Sequence, residues 1–282
     1  MISHLLFRSN TFQQKPNHVL LKSYSSQLDL KYIKGIIKNE IASYKSPIGD
    51  DLYREPLVAV ASSHDPLFFK LKKIVHDKHL MPNDIVPHAK SVISFFLPFS
   101  KKVNKSNKAD KILPSELWLK MYTETNHLRE IIGIRVAQIL EAHNYRSSTI
   151  TRKQTFDEST LTSQWSHKHV AYIAGLGTFG KNHQIITKSG CVGRLQSVIT
   201  TLELKPTKRP DHEYCLAKSG RECTACIRAC PNSLLNTSEF DKFACYNRLR
   251  KNKLYFEKKG NLPKLVCGKC STNLPCSLKN PI

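Results

Sequence analysis

Eight of the nine cysteines of this 282-residue chain lie between positions 215 and 276, and that crowding constrains the fold more than any other feature. Cys215, Cys223, Cys226 and Cys230, followed by Pro231, read C-x7-C-x2-C-x3-C-P. The end of this pattern matches the bacterial ferredoxin run, in which three thiolates hold one [4Fe-4S] cube and the fourth ligates the neighbouring one. A second group comprises Cys245, Cys267, Cys270 and Cys276, with Gly268 and Pro275 allowing tight turns around a bulky ligand. Reciprocal sharing then predicts one cluster on Cys215, Cys223, Cys226 and Cys276, and another on Cys230, Cys245, Cys267 and Cys270. Structural zinc is the alternative, since two C-x2-C pairs can supply tetrahedral thiolate sites. It leaves the Cys-Pro ending unexplained.

An odd cysteine count concentrated in one segment is not a secreted disulfide framework, and reduced thiolates that bind iron point to the cytoplasm. Cys191, between Gly190 and Val192, stands apart. It reads as a buried thiol packing as a small hydrophobe, with a place beside a cofactor as the alternative.

Hydrophobic periodicity places a helix over residues 28–43, a buried strand over 89–99, and a long helix from Ser115, as N-cap, to about His143. Short β-rich stretches follow at 147–151, 183–187 and 195–202, and the charged stretch 101–111 reads as an exposed loop. The alternation suits an α/β or α+β domain over 28–204. Lys205, Lys208, Arg209 and two prolines then interrupt the pattern, leaving 205–282 as a cysteine-bearing module with one helix near 238–251. Its apolar content is too small for an independent core, so metal ligation must supply much of its folding free energy. Residues 1–27 lack acidic side chains and carry Arg8, Lys15 and Lys22, which reads as a disordered leader or, alternatively, a transit peptide.

The formal charge of +22, from 44 basic and 22 acidic residues, suits a polyanion such as RNA. A lysine-favouring composition gives the same excess without that role, and no aromatic RNA-binding motif is present. No apolar run approaches 18 residues, so no membrane partner is expected.

Gly175, Gly177 and Gly180 satisfy G-x-G-x-x-G, and Glu203 lies at a suitable distance to read a ribose. Residues 181–194 offer no helix for a pyrophosphate, which weighs against a dinucleotide.

Several separated segments agree with one family. The cysteine groups, Ala89-Lys90-Ser91-Val92-Ile93-Ser94 with Leu97-Pro98-Phe99, the block from Trp165-Ser166-His167 to Gly180, and Gly193-Arg194-Leu195 through Leu204 resemble epoxyqueuosine reductases. More narrowly, the chain resembles short double-cluster paralogues without C-terminal helical repeats, over about residue 45 to the end. The resemblance implies an α+β architecture: a corrinoid-type, reductive-dehalogenase-like N-terminal domain followed by a ferredoxin-like module with two [4Fe-4S] clusters. It also implies a cobalamin near Gly175, Gly177, Gly180 and Arg194, an electron donor of ferredoxin or flavodoxin type, and a tRNA-bound or small-molecule substrate. Asp157 is the nearest match to the family's general acid, and a helix N-cap is its alternative role. His167, His169 and Tyr172 are further candidates for donating protons or lining a cavity. The competing reading is an electron carrier that feeds a partner reductase.

Overall fold

The computed structural model describes residues 28–150, 156–235, 240–260 and 264–282. Its centre is a four-stranded sheet in the order β1 (Leu57–Ser62), β2 (Ser91–Pro98), β8 (Gly193–Thr200), β3 (Ser147–Thr149), with every neighbouring pair antiparallel. Ser94 of β2 pairs with Ser197 of β8, which fixes the register of the two central strands. Two small hairpins stand apart, β4 (Phe156–Asp157) with β5 (Thr162–Ser163) and β6 (Gly177–Phe179) with β7 (Ile185–Thr187).

Every residue of β2 is buried, so its run of Val, Ile, Phe and Leu needs cover on both faces. On one face Ile93, Phe95 and Leu97 meet Ile33 and Ile37 of α1 (Leu30–Ser43) and Leu128, Ile132 and Val136 of α5 (Glu116–Ala142). On the other, Val92 and Phe96 meet Phe68 of α2 (Leu67–Ile74), Trp165, and Val170 and Ala171 of α6 (His167–Ile173). The result is a mixed fold of helix, antiparallel sheet and helix. Asp29 caps α1 by accepting from Tyr32 N at 2.8 Å, and Ser115 caps α5 by accepting from Trp118 N at 3.1 Å.

Residues 101–111 are not simply an exposed loop. They begin with α4 (Lys101–Ser106), which buries Val103 and Asn104, and Asn107 is buried just beyond it. Charge density suggested solvent, but the two asparagines bond to residues near 270 that local patterning does not reveal. A four-residue turn of helix, α3 (Pro82–Ile85), precedes β2.

Beyond position 205, α7 (Ala225–Ala229) and α8 (Lys242–Lys258) are the α-helices among the described residues. α8 starts at Lys242, where Asp241 caps it by accepting from Phe243 N and Ala244 N, each at 2.9 Å; positions 238 and 239, where the expected helix began, lie outside the described residues. The third apolar cluster draws on both sides of residues 205–210. Leu52, Phe99, Trp118 and Met121 pack with Tyr214, Cys215, Phe256 and Val266. The cysteine-bearing segment therefore borrows its core. The proposed leader, residues 1–27, and position 151 lie outside the described residues, and among those described no helix is long and apolar enough to cross a membrane.

Candidate functional site

The structure brings the cysteines together in two sets. Cys215, Cys223, Cys226 and Cys276 line one cavity with Asn182, Ile186 and Pro275, so the last cysteine folds back onto the first group. Burial, then the neighbouring Cys276, Cys215 and Cys223, pushes the Cys226 thiol up to about 11. Burial, then Cys267 and Cys230, likewise pushes Cys245 up to about 11. Cys270 is pushed up by burial and then by Cys267, Cys230 and Cys245, with Cys226 of the other set next in order. Thiols held protonated this way become ligands only when a bound cation repays the crowding of negative charge, so metal binding must release protons. Among the described residues no three His, Cys, Asp or Glu side chains meet closely enough to hold a single metal ion.

Local sequence explains how each set is presented. Cys230 caps α7 at the C-terminal end with extended backbone, φ −74° and ψ 118°, the conformation that the following Pro231 enforces. Gly268 has φ +80°, and a Cβ there would strike the indole of Trp118. Lys269 is buried, and its ammonium donates to Asn107 O at 2.8 Å and Asp110 O at 2.6 Å. Asn104 accepts from Asn273 N at 2.9 Å, and Asn107 donates to Cys267 O at 3.1 Å. The end of α4 and the residues after it thus form a template for the loop carrying Cys267, Cys270 and Cys276.

Cys191 is buried where the two sets adjoin. Its backbone N donates to Cys276 O at 2.9 Å, and its thiol contacts the Cys276 side chain. Asn182, also buried, donates to Cys270 O at 2.8 Å and to Cys191 Sγ at 3.8 Å. Asn182 therefore links the loop of one set to the neighbour of the other. Sequence reading missed it, and its place two residues after Gly180 is the one signal available.

The glycine loop has an internal explanation. A Cβ on Gly177 would collide with the Ile186 carbonyl, one on Gly180 would meet Asn182 Oδ1, and Gly175, at φ +83°, lies against the backbone at Lys208 and Arg209. The chain's own atoms fill the space beside all three. Arg194 sits with its guanidinium 4.7 Å from the Tyr122 ring centroid.

Asp157 lies at the end of β4, in a turn rather than at a helix N-cap. Its carboxylate accepts from Ser159 N and Ser159 Oγ, both at 2.7 Å, and from Thr160 Oγ1 at 3.0 Å. These bonds, the Ser159 hydroxyl first, hold it down to about 2. An ionised carboxylate cannot serve as an acid.

His167 and His169 cannot chelate one ion, because residues two apart on a helix point roughly 200° apart. His167 Nδ1 lies 2.8 Å from Ser197 Oγ, which also accepts the Trp165 indole N–H at 2.9 Å. Burial, then the charge of Arg129, lowers His167 to about 3, and burial lowers His169 to about 4. Both are neutral bases at pH 7. Tyr172 is 38% exposed, with its ring 5.9 Å from that of Phe179.

Between the two histidines lies the residue that the alternating pattern hid. Lys168 donates to His183 O at 3.0 Å, and burial lowers its pKa, opposed by the nearby Cys270 and Cys245, whose negative charge would raise it. It is a cation placed beside the second set of thiols.

No family model matches the chain. It aligns with two curated relatives named epoxyqueuosine reductase. The protein from Leadbetterella byssophila is 26% identical over 197 residues, covering 68% of this chain and 59% of that protein. That from Cyclobacterium marinum is 28% identical over 178 residues, covering 61% and 52%. The chain thus spans between half and three fifths of these curated relatives. Among solved structures, epoxyqueuosine reductase from Streptococcus thermophilus matches with a TM-score of 0.58 and 18% identity, over 89% of this chain and 67% of that one. An epoxyqueuosine reductase with an epoxyqueuosine-modified tRNA-Tyr stem loop matches at 0.55 and 20% identity, over 88% and 65%. The catabolic reductive dehalogenase NpRdhA matches at 0.55 and 11% identity, over 89% and 37%. The chain is a homologue of proteins named epoxyqueuosine reductase, and it shares a fold with them and with the dehalogenase.

Proposed function

We propose that the chain is an iron–sulfur oxidoreductase akin to epoxyqueuosine reductase, passing single electrons through two [4Fe-4S] clusters to a tRNA-bound or small-molecule substrate. The observation that carries this reading is the convergence of two distant cysteine groups into two adjoining sets of four. Cys215, Cys223, Cys226 and Cys276 would hold one cluster, and Cys230, Cys245, Cys267 and Cys270 the other. The raised pKa of Cys226, Cys245, Cys267 and Cys270, each caused first by burial, suits a polynuclear cationic core, which neutralises several thiolates at once.

The chain's own residues then have definite tasks. Lys168 offsets negative charge beside Cys245 and Cys270, which favours the reduced, more negative state of that cluster. Asn182 and Lys269 fix the loops that carry the ligands, and Trp118 covers one of them. An electron donor of ferredoxin or flavodoxin type would supply the reducing equivalents, and the cytoplasm is a compartment that suits such thiolates.

The glycines at 175, 177 and 180 are accounted for by close approach of the chain's own atoms on their Cβ sides, without the corrinoid that the family resemblance implies. The three hydrogen bonds that Asp157 accepts within its own turn favour a second reading, in which the chain is an electron carrier for a partner reductase. Incubating the anaerobically reconstituted protein with dithionite and an epoxyqueuosine-containing tRNA stem loop separates the two. Conversion to queuosine supports the enzyme; reversible bleaching of the clusters without conversion supports the carrier; a colourless protein that takes up no iron rejects both.

A further inference from the structure

We infer that the exposed face of α8 is a docking surface for single-stranded RNA, beside the second set of cysteines. The inference extends the proposed function and rests on it for the choice of an RNA-borne substrate. Residues 242–259 carry seven cations against one acid, Glu257, whereas the whole chain carries 44 against 22. The excess is therefore much denser on this helix than composition alone would give.

One side of α8 packs into the protein, and near its start Tyr246 Oη also donates to Glu158 Oε1 at 3.0 Å. Asn252 and Phe256 are buried, and Asn252 donates to Val266 O at 2.9 Å. The outer side presents Phe243 at 50% exposure, Leu254 at 56% and Tyr255 at 38%, with Arg250 and Lys251 exposed among them. Phe243, Arg250 and Leu254, at spacings of seven and four, share one stripe.

Cations and rings are also paired along the helix. Lys242 lies 5.5 Å from the Phe243 ring centroid, Arg250 lies 5.6 Å from that of Tyr246, and Lys259 lies 4.9 Å from that of Tyr255. Rings on which bases stack, alternating with charges that meet phosphates, are the chemistry of single-strand recognition. A membrane-surface helix instead segregates its apolar side chains from its cations. Here both kinds occupy the same stripe. A helix of 17 residues is about 25 Å long, and Cys245 sits in its first turn, so RNA lying along it would lie close to the second set of thiols.

The test uses the full reconstituted chain and fluorescence anisotropy with a labelled RNA hairpin bearing an unpaired loop, alongside a blunt RNA duplex of equal length. The wild type should bind the hairpin more tightly. Arg250→Glu with Lys251→Glu should weaken binding at least tenfold and make the slope of log affinity against log salt less negative by about 1.4, for two phosphate contacts. Phe243→Ala with Tyr255→Ala should weaken binding about fivefold or more and leave the slope unchanged. Equal binding of hairpin and duplex, or unchanged affinity in both variants, overturns the inference. So does loss of binding to phosphatidylserine vesicles or to an acidic protein, with RNA affinity unaltered. Iron content is measured on every sample. Full iron without RNA binding defeats the docking surface alone, whereas RNA binding without iron defeats the redox reading alone.

Discussion

The indole of Trp118 rests against the backbone of Gly268, which holds a left-handed φ of +80°. A long helix from the first half of the chain thus sets the shape of the loop between Cys267 and Cys270. Gly268→Ala adds both backbone strain and a clash, and is expected to cost roughly 1–3 kcal/mol. Denaturant midpoints should fall, and iron bound per chain should drop with them. Unaltered stability would show that the indole does not constrain the loop.

Lys269 is buried and donates hydrogen bonds to the carbonyl oxygens of Asn107 and Asp110. Lys269→Met keeps the aliphatic stem but leaves those acceptors without the ammonium, a loss of roughly 2–4 kcal/mol. Urea unfolding of the reconstituted protein checks it. A change below about 0.5 kcal/mol would place the ammonium in solvent.

Much of the frame was legible in the sequence, because it depends on near neighbours. The stripe from Ile33 to Ile37, the largely apolar β2 and the Ser115 cap follow from spacing and residue type. The template after Ser100 was not legible. Asn104 and Asn107 look like solvated polar residues until the chain returns, some 160 positions later, to hand them Cys267 O and Asn273 N. Lys168 was hidden for a different reason. Its flanking histidines drew attention as proton donors or cavity lining, yet a helix turns consecutive side chains apart, and the lysine is the one whose charge is felt by Cys270 and Cys245. G-x-G-x-x-G records close backbone approach without saying to what. Here the partner of Gly177 is the Ile186 carbonyl.

His167 is neutral in the folded chain, lowered to about 3 by burial and then by Arg129. A histidine depressed on folding contributes stability that is present above its unfolded pKa of about 6.5 and is lost as pH falls toward the folded value. Between pH 6.5 and 4.5 the loss should be on the order of 2–3 kcal/mol. His167→Gln removes the titration, so its urea midpoint should depend less on pH than the wild type's. Parallel curves for the two proteins would contradict the buried neutral imidazole.

Asp157 holds its turn through three bonds, and its carboxyl stays ionised down to about pH 2. Asp157→Asn preserves the acceptor oxygen, so substrate conversion should stay within about threefold of wild type. A positioned general acid is worth 10²–10⁴ in rate. A loss of that size would restore the proton-donor role to this residue.

The membership of the two thiol sets is open to the most direct measurement. Iron and acid-labile sulfide are counted on anaerobically reconstituted protein, with the reduced clusters followed by electron paramagnetic resonance. The wild type should carry two [4Fe-4S] clusters, so about eight irons per chain. Cys223→Ser, Cys276→Ser and the double variant should each retain about four, while Cys223→Ser combined with Cys245→Ser should retain almost none. Full loading in either single variant, a loss in the Cys223–Cys276 pair equal to the sum of two separate clusters, or zinc in place of iron would contradict the account.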